Sequence, residues 1–257
     1  MILMSRASRS VSFAAVLSLL LLSASQDLRA QDDTSNQIWA DVILAKPLSG
    51  HFQGSLGLEG RTEFNRESDW GSLRGAPTLQ YFVTSWLDLV GEVLFAFTKE
   101  SADLNSLQVT PRVGFELHLN NEVLQHVGNE RVPLTRFDLY NLARLEYRAF
   151  WYSDDTASSQ EWRFRNRAGG KIAINRKRLS EARTLYATLD FEIFIPVGDK
   201  IPETFASKYR VRAGLGYRLD YNWRFEAMYV FDESRNTLED DFSLDSNVLD
   251  LRVKRFF

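Results

Sequence analysis

The amino-acid sequence predicts an all-β protein, a transmembrane antiparallel up-and-down β-barrel of about 12 strands, with 10 strands as the alternative. Three observations lead to this prediction. Apolar and polar residues alternate along most of the chain, as they do in a strand, where successive side chains leave the backbone on opposite faces. Many alternating segments reach about ten residues, the length that a tilted strand needs to cross a bilayer. Aromatic residues gather where these segments end.

The composition excludes several classes of protein. The chain has 257 residues and a formal net charge of −3, so it lacks the basic surplus of nucleic-acid-binding proteins, and we expect no nucleic-acid partner. It has no cysteine, which excludes disulfides, thiolate metal sites and acylation of an N-terminal cysteine. A single all-β domain of this length is common.

An apolar segment near the N-terminus predicts an exported protein. Two arginines precede VSFAAVLSLLLLSA, which spans 11–24 and is followed by small and polar residues. This order is typical of a secretory signal peptide, whereas the apolar run is short for a transmembrane helix. We expect residues 1–30 to be a signal peptide, cleaved after Ala30 or near Ser25. Residues 31–257 would then form the barrel, in the outer membrane of a Gram-negative cell.

The first half of the mature chain contains five alternating segments. Residues 52–64 read FQGSLGLEGRTEF, with Phe and Leu on one face and Gln, Ser, Glu and Arg on the other. Residues 86–98, WLDLVGEVLFAFT, and 107–119, LQVTPRVGFELHL, follow the same pattern. Shorter segments at 37–45 and 75–83 complete this half. Each segment predicts a strand.

The second half contains six more segments of this kind. NLARLEYRAFW, EWRFRNRAGGKIAI and TLYATLDFEIFI all alternate, and KYRVRAGLGYRLDYNWRFEAMYVFD predicts a hairpin that turns near Asp220–Asn222. The chain ends on another alternating segment, VLDLRVKRFF. The six predicted strands are 136–151, 161–174, 184–196, 207–220, 222–232 and 247–257.

The number of strands and the closure of the barrel follow from these segments. Bacterial single-chain barrels have an even number of strands, so eleven candidates imply ten or twelve. We expect twelve, with a further strand within 120–135. The last strand should pair with the first, which leaves no open edge and places its apolar residues against lipid. A terminal Phe257 then requires no protein core.

The main alternative to this fold is a soluble secreted β-sandwich binding protein, because a sheet with one wet face also alternates. Strand length and the aromatic residues favour the barrel. The barrel requires Leu58, Phe95, Leu145 and Phe225 to face outer-membrane lipid rather than one another. The residues expected to form a membrane girdle are Trp86, Trp151, Trp162 and Trp223.

The polar faces of the strands are rich in charge, and cations outnumber anions. This pattern favours a narrow pore for a small anionic solute. A ladder of cross-strand ion pairs that fills the lumen is the other interpretation, because unpaired buried charge is costly. The residues expected to line the lumen are Arg61, Arg112, Glu116, Arg144, Glu146, Arg148, Arg163, Arg165, Arg167, Asp190, Glu192, Arg210, Arg212, Arg224 and Glu226.

The sequence offers little support for catalysis. An outer-membrane lipid hydrolase requires a serine activated by a histidine, with a third group that orients the imidazole. The three histidines are His51, His118 and His126, and no serine is placed by sequence to partner His118. We therefore expect no enzyme, with hydrolase as the alternative, no cofactor and no metal site.

Several segments together resemble one family. The opening QIWADVILAKPLSGHFQGSLGLEGRTEF, the central FDLYNLARLEYRAFW and the closing VLDLRVKRFF are similar to the domain-of-unknown-function 2490 (DUF2490) family of predicted outer-membrane proteins. The resemblance covers 38–257. It implies a β-barrel in the outer membrane, no established activity and no catalytic residues. The terminal Phe257 also resembles the signal that the outer-membrane barrel assembly machinery reads, which would make this machinery a partner.

Overall fold

The chain forms one closed sheet with eleven strands in a computed structural model, which describes residues 35–64, 70–119, 134–198, 208–235 and 242–257. The all-β barrel is confirmed, and the expected number of about 12 strands is close to the eleven observed. The strands are β1 (Ser35–Ser49), β2 (Phe52–Glu63), β3 (Gly71–Phe82), β4 (Leu87–Lys99), β5 (Asn105–Leu119), β6 (Phe137–Tyr152), β7 (Ser159–Ala173), β8 (Thr184–Val197), β9 (Lys208–Arg218), β10 (Trp223–Arg235) and β11 (Phe242–Phe256).

Two sequence predictions concern segments that the structure does not describe. The expected signal peptide, 1–30, lies outside the described residues, as does most of the 120–135 segment, for which a further strand was predicted. The described end of that segment enters a short 3-10 helix, Leu134–Arg136. In the described part of the chain, no helix has the length and hydropathy required to cross a bilayer.

The barrel closes through a parallel pair of strands. Neighbours from β1 to β11 are antiparallel, but β1 pairs with β11 in parallel, from Ser35 opposite Ser246 to Ala45 opposite Phe256. The last strand therefore pairs with the first, as predicted. The expected even number is not met by the described strands. An even number brings both chain ends to one rim, whereas here β1 begins at the N-terminal rim and β11 ends at the opposite, C-terminal rim.

The strands are staggered around the barrel. The hydrogen-bonded row that starts at Asp41 reaches β7 at Ser159 in one direction and at Ala173 in the other. Strand number and stagger fix the diameter, and eleven strands with a stagger of about fourteen residues give a backbone radius of about 11 Å. Long side chains from opposite walls can meet across such a lumen.

The apolar face of the sheet lies on the outside of the barrel and the charged face on the inside, which is the reverse of the arrangement in a soluble protein. Leu58, Phe95, Leu145 and Phe225 point outward and are 39–48% exposed, so they do not face one another. Every strand contributes at least two large apolar side chains to this outer surface. The inside instead buries many charged residues. The sandwich alternative is wrong, because one sheet closes on itself.

Aromatic side chains lie near both rims of the barrel. Trp86 and Trp223 are at the C-terminal rim, and Trp151 and Trp162 are at or near the N-terminal rim. All are exposed except Trp223, whose ring is half-buried beneath a guanidinium. Phe257 has a side chain that is 59% exposed, and its backbone N–H donates a hydrogen bond to β1 at 3.0 Å, so the end of the chain is fixed to the seam.

Candidate functional site in the lumen

The lumen encloses a cavity of about 790 Å³, to which all eleven strands contribute. This volume is in the range of small-molecule binding sites. Its wall carries thirteen arginine and lysine side chains but five aspartate and glutamate side chains. An excess of positive charge in a confined space attracts anions, because the protein wall focuses the field into the lumen.

Ten of the fifteen residues expected to line the lumen form part of the cavity wall. They are Arg61, Arg112, Glu116, Arg144, Arg148, Arg163, Arg165, Arg167, Arg210 and Arg212. Four acidic residues are buried at the base of this wall, where they accept hydrogen bonds from its cations or from buried tyrosines. They are Glu146, Asp190, Glu192 and Glu226. The fifteenth, Arg224, packs over the ring of Phe256 at 4.3 Å.

Several residues that line the lumen were missed by the sequence predictions, and three of them show why. Trp39 and Phe194 are each 3% exposed and line the cavity, although aromatic residues were expected outside. The alternation could have located Trp39, which shares its strand face with Asp41. Arg74 was missed because β3 begins earlier than predicted and includes this residue.

Two fully buried carboxylates organise the wall formed by β5 to β9. Glu146 accepts hydrogen bonds from Arg163 at 2.5 and 2.9 Å and from Arg165 at 3.3 Å. Glu192 accepts hydrogen bonds from Arg165 and, at 3.2 Å, from Arg212. Both glutamates are 0% exposed. Because Arg165 joins them, the strands are linked by one continuous network of charge-assisted hydrogen bonds. We call Arg112, Glu146, Arg163, Arg165, Glu192, Arg210 and Arg212 the charged wall.

A second group of ion pairs lies beside the seam between β1 and β11. Arg252 contacts Asp41 at 2.9 Å and Asp250 at 2.8 Å. Lys254 contacts Glu226 at 2.9 Å. These pairs cross from β10 through β11 to β1, so the parallel closure is supported by side chains as well as by the backbone.

Two aromatic rings and their cations narrow the lumen. The guanidinium of Arg61 lies 3.5 Å from the centre of the Trp39 ring. Arg210 lies 5.1 Å from the same ring and 5.3 Å from the ring of Phe194. These are cation–π distances. Since Phe194 is on β8 and Trp39 on β1, Arg210 connects separate parts of the wall and restricts the passage.

The remaining wall, toward the C-terminal rim of β1 to β4, is uncharged and built from smaller side chains. A Cβ atom added at Gly57 would meet its nearest neighbour, the backbone oxygen of Ala76, at 3.8 Å, which is ordinary contact. A Cβ atom at this position would therefore meet no clash. We call this surface the uncharged wall, and it consists of Ile43, Ala45, Gln53, Ser55, Gly57, Ala76, Thr78, Gln80 and Val90.

A histidine and several carboxylates meet near the C-terminal rim. The Nε2 atom of His118 lies 3.0 Å from Asp88, and its Nδ1 atom lies 3.9 Å from Asp138. One oxygen or nitrogen atom each of Asp88, Glu116 and His118 lies within 4.8 Å of the others, so these residues could hold a metal ion. The linear spacing gave no sign of the group, because strand pairing assembles it. Both ring nitrogens of His118 face carboxylates rather than a serine.

The closed barrel, its apolar exterior and its charged lumen define the class of protein: a β-barrel with an internal cavity lined by ionisable side chains. A family model described as "Protein of unknown function (DUF2490)" matches residues 36–242, which is most of the chain. The chain therefore belongs to the DUF2490 family. Among curated proteins, none matches this sequence.

Proposed function

We propose that the chain is a β-barrel of the bacterial outer membrane and that an N-terminal signal peptide directs its export. The apolar outer surface, to which every strand contributes, supports this proposal. Soluble monomers rarely expose contiguous apolar patches larger than a few hundred Å². In a hydrocarbon environment, an apolar outer surface is not exposed to water. A closed barrel also satisfies its backbone hydrogen bonds internally. The exposed tryptophans near both rims suit the two membrane interfaces.

The proposed role of the lumen is to take up and pass a small anionic solute. The excess of cations around the cavity supports this role, since rings of Arg and Lys lower the energy of an anion in a pore. The aromatic–guanidinium contacts of Arg210 make this route narrow.

A structural barrel with a closed lumen is the second candidate. It is favoured by the ion-pair network of Glu146 and Glu192, because arginines that neutralise buried carboxylates also occupy space. Conductance in a planar bilayer separates the two candidates. The pore predicts discrete, anion-selective current steps, whereas a closed barrel predicts silence.

The proposed barrel has no catalytic activity. His118 would be the base of a lipid hydrolase, but its two ring nitrogens face Asp88 and Asp138. The purified protein should therefore not hydrolyse phospholipid or lipopolysaccharide. Turnover that disappears in His118→Ala would contradict this part of the proposal.

Two partners follow from the proposed location. Lipid would surround the apolar belt, and the barrel assembly machinery would bind the C-terminal strand, whose Phe257 side chain is exposed. Truncation of Phe257 should lower the amount of assembled barrel in the outer membrane without changing synthesis. Equal assembly of the truncated chain would contradict this role.

Folding into lipid vesicles tests the membrane proposal itself. The mature chain should fold only with detergent or lipid and should migrate differently on gels before and after heating. A mature chain that folds as a monomer in plain buffer would overturn the proposal.

A further inference from the structure

Two arginines in the lumen lack the partners that their neighbours have. Arg144 is 8% exposed, and its nearest carboxylate in the described part of the chain, that of Glu92, lies 3.8 Å away, beyond hydrogen-bond distance. Arg167 has no carboxylate oxygen within 4.0 Å among the described residues, and its guanidinium lies 5.6 Å from the Tyr140 ring. The Nε atoms of both arginines are buried without a hydrogen-bond partner. Both side chains line the cavity.

Competition for carboxylates explains why neither of these two arginines has a hydrogen-bonded carboxylate among the described residues. Arg167 is directly opposite Glu192 in the pairing of β7 with β8, yet Glu192 binds Arg165 and Arg212 instead. Arg144 is directly opposite Arg165, a second cation. Like charges in opposite positions on neighbouring strands are destabilising, and an unpaired buried charge is more so.

The position of the two arginines is suited to a ligand. They are on adjacent strands, β6 and β7, and Leu142, itself 4% exposed, is directly opposite Arg167. In the ring of eleven strands, β6 and β7 are on the far side from β1 and β2, which carry part of the uncharged wall. The cavity thus has guanidiniums without a hydrogen-bonded carboxylate on one side, and on the other it has Gly57, where a Cβ atom would make only ordinary contact.

We propose that Arg144 and Arg167 form a binding site for a small oxyanion, a carboxylate or a phosphate, within the lumen. A guanidinium recognises either group through two parallel N–H···O bonds. The charged wall is excluded from this role, because its arginines already hold Glu146 and Glu192. The site rests on the proposed function, since it gives the anionic solute a fixed position.

The test measures thermal unfolding of the full-length protein folded in detergent micelles, at pH 7 and constant ionic strength. Chloride is replaced in one series by inorganic phosphate and in another by acetate. The wild-type melting temperature should rise with phosphate, acetate or both, because a ligand that binds only the folded state stabilises it. The two series identify which oxyanion the site prefers. No rise in either series would overturn the site.

Paired substitutions distinguish binding from structure. Arg144→Gln with Arg167→Gln should weaken the apparent anion affinity by roughly tenfold to a hundredfold, the loss expected for hydrogen bonds to a charged group. The melting temperature of this double variant in chloride should equal or exceed that of wild type, since it removes two guanidinium charges that lack a hydrogen-bonded carboxylate. Arg163→Gln is the matched control. It should lower the melting temperature in chloride, because it breaks the pair with Glu146, and should keep the anion response.

A third variant tests the space across from the arginines. Gly57→Phe leaves both guanidiniums in place but fills the opposite side of the cavity, so it should also weaken the anion response. A retained response in the double arginine variant would overturn the site, as would a loss of stability equal to that of Arg163→Gln. Wild-type protein that folds into vesicles but shows no anion response would overturn the site alone, whereas failure to fold into vesicles would overturn the proposed function.

Discussion

The charged wall and the uncharged wall are built from the same kind of strand but differ in what fills the space in front of them. Within the charged wall, arginine side chains form ion pairs with buried carboxylates. In front of the uncharged wall, small side chains leave the cavity open. One cavity is therefore bounded by ion-paired side chains on one side and by uncharged side chains on the other. Strand number alone does not determine whether the lumen is open.

The inward-facing glycines show the same difference at atomic scale. A Cβ atom at Gly114 on β5 would lie 2.2 Å from the backbone oxygen of Ala143 and 2.6 Å from the side chain of Arg144. At Gly57 on β2 the nearest atom would be 3.8 Å away. Glycine on the charged side admits a neighbouring side chain, whereas Gly57 leaves its space to the cavity.

The largest expected effect is the loss of a buried carboxylate from the charged wall. Glu192→Gln would remove one of the two carboxylates that Arg165 and Arg212 each contact, and removal of one partner from a buried pair costs about 3 to 5 kcal/mol. Urea unfolding of the protein in micelles measures this change in free energy. The control on the uncharged wall is Ser55→Ala, which should change stability by less than about 0.5 kcal/mol. Similar values for both variants would remove the distinction between the walls.

A smaller effect is expected from the glycines. Gly114→Ala forces a backbone or Arg144 shift and should cost about 1 to 3 kcal/mol, as overpacking does. Gly57→Ala should leave stability unchanged or raise it by up to about 1 kcal/mol, because the unfolded chain loses freedom. The same unfolding measurement checks both variants, and an equal cost at the two positions would show that the uncharged wall is packed as tightly.

A bulky side chain on the uncharged wall should have the smallest effect on stability but a clear effect on transport. Gly57→Phe should change the free energy of unfolding by less than about 0.5 kcal/mol, because its Cβ atom would make only ordinary contact and its side chain would face the cavity. It should nevertheless reduce the single-channel conductance, because the ring occupies the passage. Unchanged conductance at unchanged stability would mean that solute does not pass along this wall.

Much of the fold was predictable because a strand with two different environments has a period of two. The eleven segments identified by alternation correspond to β1 to β11, and only the rule of even strand number suggested a twelfth. The lumen network was less predictable, because it depends on register. Sequence places Arg167 on the polar face, but only strand pairing shows that Glu192 lies opposite it and is occupied by other arginines. Trp39 was missed for a different reason, since an aromatic residue on a polar face contradicts the expected pattern.

Solvent accessibility on the two faces of one strand tests most directly whether lipid covers the apolar exterior. Leu58 and Gly57 are adjacent on β2 and point to opposite faces, and the chain has no cysteine, so Leu58→Cys and Gly57→Cys can each carry a single spin label. With the barrel folded in vesicles, the label at 58 should collide with lipid-soluble oxygen more often than with a water-soluble nickel complex. The label at 57 should collide with the nickel complex, relative to oxygen, more often than the label at 58 does. Equal preference for the water-soluble reagent at both positions would contradict the account.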